Sequence, residues 1–164
     1  MEFGLRAMRP EDIEGKAYVH WKTWQEAYTG LVDQAYLDGL SVERSVERAR
    51  RWPDNTLVAE ADEKIVGFAC YGECRNEDLP GCGEVYAIYV LRAYQKHKIG
   101  YALMNACFEA LESYSKIAVW VLEGNVKAIR FYERYGFRFD AASAALTLGT
   151  PITELRMTFQ RYFP

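Results

Sequence analysis

Histidine is the scarcest chemistry-bearing residue here: His20 and His97 are the only two in 164 residues. The four cysteines, Cys70, Cys74, Cys82 and Cys107, lack the paired short spacings of zinc modules, so no metal site is expected. No apolar run approaches the ~18 residues that span a bilayer. Glu2 and Arg6 interrupt the N-terminus, so no signal peptide is read and a cytoplasmic protein is expected. In that reducing compartment the cysteines read as free thiols, with Cys107 on the apolar stripe of a helix. An excess of one charge is missing as well. Twenty Lys and Arg against 23 Asp and Glu leave −3, so no global field draws nucleic acid or anionic lipid. Repeats, low-complexity tracts and Pro/Gly/Ser-rich linkers are missing too, and 164 residues suit one domain spanning 1–164.

What is there is strand and helix in alternation. Phe3 to Met8 reads as a first strand, stopped by Arg9-Pro10-Glu11-Asp12. A helix follows from about Asp12 to Tyr28, with Trp21, Trp24 and Tyr28 near its end and Gly30 after it. Ser41 is the candidate N-cap of a second helix running to about Trp52, with Glu43 in its first turn. Thr56 to Ala61 and Lys64 to Tyr71 read as strands joined tightly at Asp62-Glu63. Glu84 to Leu91 is the next strand, apolar on both faces and so expected to be covered on both. Ile99, Ala102, Leu103, Ala106, Cys107, Ala110, Leu111 and Tyr114 trace one helical face. Ile117 to Leu122 is a continuous apolar run, the pattern of a buried strand. Strand, helix, strand with both strands buried makes a parallel unit with a right-handed crossover. A further helix spans about Val126 to Tyr135 and stops at Gly136, and Phe137 to Asp140 and Thr153 to Arg161 complete the sheet as an antiparallel pair. The expected fold is α/β, a mixed sheet with helices on both faces.

The most informative stretch is Glu84 to Ala102. An apolar strand runs into the basic turn Lys96-His97-Lys98, which opens directly onto a helix. Free N–H groups and the macrodipole there favour a small anion such as phosphate. The patterns G-x-x-x-x-G-K-[ST] and G-x-G-x-x-G are both absent. The spacing present is Gln95-x-x-Lys98-Ile99-Gly100-Tyr101-Ala102. Downstream comes Asn125-x-x-Ala128-x-x-Phe131-Tyr132-x-x-x-Gly136-Phe137.

These two segments closely resemble the acetyl-CoA motifs of the GCN5-related N-acetyltransferase (GNAT) superfamily, clearly over residues 57–140 and by element order over most of the chain. Thr23 to Leu31 is also similar to a bacterial subgroup that includes polyamine acetyltransferases of the PaiA type. The resemblance implies a twisted mixed sheet with a splayed parallel pair, and transfer of an acetyl group from acetyl-CoA to an amine by direct attack, without a metal. It implies that Gln95, Lys96, His97, Lys98, Ile99, Gly100, Tyr101 and Ala102 hold the diphosphate. The backbone from Ile88 through Tyr89 to Val90 would pair with pantetheine, and Asn125 and Ala128 would add contacts. The family usually has glycine at the Lys98 position. Because Lys98 opens a right-handed helix, ordinary helical angles are expected to suffice.

Three chemical needs follow from the implied reaction. An amine with pKa near 10.4 is almost wholly protonated at pH 7, so a base is required. Glu84, eleven residues before Gln95, occupies the position of the general base in histone-acetylating relatives. The residue alone reads equally as a strand-end carboxylate in a salt bridge. Tyr86, one pleat on, is a candidate to bind substrate. An oxyanion needs donors already in place, which the resemblance assigns to the Ile88 N–H, freed by a bulge. The departing thiolate needs a proton donor, assigned to Tyr132, which otherwise reads as core on the face of Ala128, Phe131 and Tyr135. Trp24 and Tyr28, with Glu84 and Glu26, suggest an aromatic, acidic cleft for a cationic small-molecule or protein amine. The alternative is a catalytically silent acetyl-CoA-binding regulator. Phe159, Tyr162 and Phe163 are candidates to reach a second copy in a homodimer.

Overall fold

The structure is a computed structural model that describes residues 1–162. Its strands are β1 (Gly4–Ala7), β2 (Thr56–Ala61), β3 (Lys64–Glu73), β4 (Gly83–Val90), β5 (Lys116–Leu122), β6 (Arg138–Leu148) and β7 (Thr150–Gln160). They form one sheet in the order β1-β2-β3-β4-β5-β7-β6. The helices are α1 (Ile13–Tyr28), α2 (Gln34–Asp38), α3 (Val42–Arg51), α4 (Ile99–Ala110) and α5 (Val126–Tyr135).

Local chemistry explains most of these boundaries. Ser41 caps α3 by accepting from the Arg44 N–H at 3.3 Å. Asp62 and Glu63, both at positive φ (51° and 58°), make the tight β2–β3 turn. Asn125 caps α5 through the Ala128 N–H at 3.3 Å. Gly136 ends it at φ 124°, where a Cβ would sit 2.7 Å from the Phe159 ring. The element missed from sequence is α2, five residues capped by Asp33. In addition, β6 runs on to Leu148 rather than stopping near Asp140.

Both sheet faces are covered, as expected. On one side Ile99, Leu103, Met104 and Cys107 of α4 pack with Val66, Ala69, Val85, Val119 and Tyr132. On the other, Val19 of α1 packs against Val58 and Phe68. All four cysteines are free thiols, and burial pushes that of Cys107 up to about 12. No helix among the described residues is long and apolar enough to cross a membrane. Of the C-terminal aromatics, Phe159 is half-buried against Phe108 and Phe137. Tyr162 is exposed, and Phe163 lies outside the described residues.

The feature that positions the site is the central pair. β4 and β5 run parallel but pair only at Gly83↔Ile117 and Glu84↔Ala118. Beyond those two rungs they diverge, leaving backbone groups of both strands unpaired in a gap. On its other side β5 pairs with β7 along its whole length.

Candidate active site

The strand phase decides which β4 amides face the gap. Leu91 donates its N–H to Val66 O at 2.9 Å, toward β3. Alternation along an antiparallel ladder turns Tyr89 and Ala87 the same way, and Val90 and Ile88 toward the gap. The Val90 carbonyl agrees, since it accepts from Gln95 Nε2 at 3.0 Å rather than from β3. The bulge lies at Tyr86, where Cys70↔Ala87 is followed by Tyr71↔Val85. It is therefore two residues before Ile88, whose amide faces the gap because the bulge shifts the phase of the strand.

At the end of the gap the turn 95–98 leads into α4. Lys96 and Lys98 are both left-handed, at φ 68° and 65°. This corrects the expectation of ordinary helical angles for Lys98: the position is one that favours glycine, and lysine costs about 1 kcal/mol there. Left-handed residues alternating with others are the backbone pattern from which anion-binding concavities of N–H groups are built. The N–H groups of Lys96 to Tyr101 have no backbone acceptor among the described residues. Ala102 is a second correction, because its N–H is spent on Lys98 O at 2.9 Å. The side chains of Lys96, His97 and Lys98 are exposed, Ile99 is buried, and Tyr101 stacks on Tyr135 with centroids 5.2 Å apart. A Cβ on Gly100 would lie 3.6 Å from Phe131 and 3.9 Å from Val90, so the chain's own packing leaves that spot open.

Beside the gap is a cleft of about 400 Å³ that brings Trp24, Tyr28, Glu84, Tyr86 and Tyr89 together. Trp24 Nε1 donates to Tyr89 Oη at 3.2 Å, and the hydroxyls of Tyr28 and Tyr89 lie 3.4 Å apart. Tyr132, on α5, is buried against Phe131 and Phe137. Burial raises its phenol well above the usual tyrosine range, with a further push from Tyr89. Burial likewise raises Tyr28 and Tyr89, so all three hydroxyls keep their protons at neutral pH.

Glu84 is 1% exposed and occupied: its carboxylate accepts from Arg75 Nη2 at 2.8 Å and from the Arg75 N–H at 3.1 Å. The strand-end salt bridge is thus what the structure shows. Arg75 also lies 4.5 Å over the Tyr86 ring, whose hydroxyl donates to Glu73 O. Glu26 does not join the cleft, contrary to expectation; its carboxylate accepts from the Arg92 N–H at 2.9 Å. Trp21 leans on Tyr18 instead.

Sequence reasoning missed Arg75, Asn76, Trp120 and Glu154, which complete the cleft. Arg75 and Asn76 belong to the β3–β4 loop, which carries no motif, and Asn76 accepts from Trp120 Nε1 at 3.0 Å. Glu154 lies in the strand expected from Thr153 to Arg161, where no motif marks it. A second cleft, near β1 and α1, is lined by Arg6, Asp12 and Glu60, which already pair with one another at 2.5 and 2.8 Å.

A mixed sheet whose central parallel pair opens toward an amide-lined turn is the architecture of an N-acetyltransferase. The chain belongs to the acetyltransferase (GNAT) family, whose model matches residues 17–137. It is 33% identical to the uncharacterized N-acetyltransferase YuaI of Bacillus subtilis (strain 168) over 135 residues, 80% of this chain and 78% of that protein. It is 31% identical to the spermine/spermidine N(1)-acetyltransferase of the same strain over 90 residues, 51% of this chain and 58% of that one. In fold it is similar to the PaiA N-acetyltransferase of Thermoplasma acidophilum, solved in complex with coenzyme A. The TM-score is 0.75 at 20% identity, covering 98% of this chain and 99% of that one.

Proposed function

We propose that this N-acetyltransferase takes its acetyl group from acetyl-CoA and delivers it by direct attack to a primary amine, on a small cation such as a polyamine or on a protein. The observation that carries this reading is the divergence of β4 from β5 beside the turn 96–101. One groove then offers an anion nest for a diphosphate and a strand edge for an amide-bearing arm. The residues fit that coenzyme. The amides of Lys96 to Tyr101 would hold the diphosphate, Gly100 leaves the approach bare, and Ile88, Val90 and Asn125 would meet the pantetheine. The neighbour solved with coenzyme A supports this choice.

Acetyl-CoA supplies an acetyl group activated as a thioester. The chain supplies position and charge. The Ile88 N–H donates to a carbonyl oxygen lying in the gap. Tyr132 keeps its proton and steadies a thiolate by hydrogen bonding, since burial makes its phenol a weaker acid than a thiol. Trp24, Tyr28 and Trp120 give a cationic acceptor aromatic faces, each worth about 0.5–2 kcal/mol. The relative named for spermine and spermidine supports an amine acceptor.

The test is release of free thiol from acetyl-CoA across spermidine, amino acids and peptide N-termini. Amine-dependent turnover with at least one acceptor is expected. Coenzyme binding with no turnover on any amine would mark a regulator, and no coenzyme binding at all would overturn the reading.

A further inference from the structure

We propose that Glu154 of β7, rather than Glu84, is the carboxylate that takes the proton from the acceptor amine. This deepens the function proposed above and rests on it. The two carboxylates line the same cleft but differ in availability. Glu84 is buried and held by Arg75 through its backbone and guanidinium, so accepting a proton would break those bonds. Glu154 is half-buried and enters none of the ion pairs among the described residues.

Its position is fixed by sheet register. Glu154 pairs with Leu122, the last residue of β5, and with Ala144 of β6, so a rigid strand carries it beside the mouth of the β4–β5 gap. Glu154 lines the cleft together with Trp24, Tyr28 and Tyr89, where Trp24 Nε1 and the Tyr28 hydroxyl meet Tyr89 Oη. One cleft therefore contains the free carboxylate and the aromatic wall proposed for the acceptor amine.

The step balances without any further reactant. The ammonium gives one proton to Glu154 and the freed lone pair forms the N–C bond. As the C–S bond breaks, the second proton leaving nitrogen ends on the departing thiolate, and the proton on Glu154 passes to solvent.

The surroundings of Glu154 suit a base. Burial raises its pKa above the ordinary glutamate value, Arg75 from the β3–β4 loop opposes this, and Glu84 from β4 adds to it. Tyr28 of α1 and Tyr89 of β4 face it as neutral phenols. The cleft neighbours from β5 and β6, namely Trp120, Leu122, Ala144, Leu146 and Leu148, carry no charge. The Glu154 carboxylate is thus more basic than a surface glutamate.

The experiment compares wild type with Glu154→Gln, Glu154→Asp and Glu84→Gln. It measures kcat and kcat/KM against pH with the best-turned-over amine of the panel and spermidine as reference. Coenzyme A affinity by calorimetry reports on folding, and carbon-13 titration of labelled glutamate carboxyls in the ligand-free protein gives a readout without turnover. Glu154→Gln is expected to lower kcat about 100-fold or more and to erase the acidic limb of the profile. Coenzyme A affinity should stay within a few-fold, and Glu154→Asp should restore part of the rate. Glu84→Gln should lower the rate at every pH and keep the limb. A limb that persists in Glu154→Gln and vanishes in Glu84→Gln would overturn the proposal, as would a Glu154 resonance titrating at or below the usual glutamate value. Wild type that binds coenzyme A but acetylates no amine would overturn the functional reading and this inference with it.

Discussion

Lys98 shows how a single residue can be conformationally wrong for its place and still serve it. Its left-handed backbone points its own N–H into the nest, and its ammonium stays exposed at the rim. Replacing it by glycine should leave stability unchanged or raise it by up to ~1 kcal/mol, because relief of strain competes with a more flexible unfolded chain. Lys98→Val, with a β-branched side chain at positive φ, should destabilise by about 1 kcal/mol or more. Urea midpoints for the two variants check both statements. At Tyr132 the expected cost is catalytic rather than structural. A hydrogen bond to a charged group is worth about 1.5–3 kcal/mol, so Tyr132→Phe should lower kcat about 10- to 100-fold with the melting temperature nearly unchanged. Unaltered kcat would remove the hydroxyl from the reaction.

Among the elements, α4 joins architecture to binding most directly. Gly100 stands in its first turn at a spot where an added methyl meets only ordinary contacts with Phe131 and Val90. Gly100→Ala should therefore stabilise the fold, by about 0.5–1 kcal/mol from helix propensity, while weakening coenzyme A at least 10-fold. Thermal unfolding and calorimetry on one sample separate the two effects, and undiminished affinity would move the diphosphate away from this turn. Elements like α4 were legible in sequence because their signals are local. The stripe from Ile99 to Ala110, the apolar run from Ile117 to Leu122, and the cap and stop at Asn125 and Gly136 each lie within a few turns of chain. Leu111 and Tyr114, expected on the same stripe, fall beyond the end of α4. What escaped depends on distant partners. Five-residue α2 has too few turns for a periodicity, and its place is set by Asp33 meeting the hairpin at Gly149. Arg75 acquires a role only when the β3–β4 loop folds back on Glu84, and Glu154 only when β7 inserts beside β5. The conformation of Lys98 escapes the sequence pattern because the helix begins at Ile99, which leaves Lys98 outside it as the cap.

At the scale of the whole molecule, α1 is the wall shared by the core and the acceptor cleft, and His20 sits in that wall. Its ring packs against Trp24, Phe68 and Tyr89, and its Nδ1 is buried with no hydrogen-bond partner among the described residues. Burial lowers its pKa to about 4, from an ordinary 6.5, aided by the charges of Lys16 and Arg48. Between those values the unfolded chain binds a proton that the folded chain refuses. Stability should therefore fall as pH drops from about 6.5 to about 4, by up to ~3 kcal/mol. Denaturant midpoints across that window should flatten in His20→Phe, and an equal slope in both proteins would assign the acid sensitivity to other groups. Because α1 also carries Trp24 and Tyr28, the same acidification should loosen the cleft before the rest of the sheet. The claim on which the account turns is that one groove holds the coenzyme from the α4 turn to the β4–β5 gap, and a crystal structure with bound acetyl-CoA tests it most directly. The diphosphate should lie on the amides between Lys96 and Tyr101, with the sulfur in the gap near Tyr132; a coenzyme lodged elsewhere, or a gap left closed, would contradict the account.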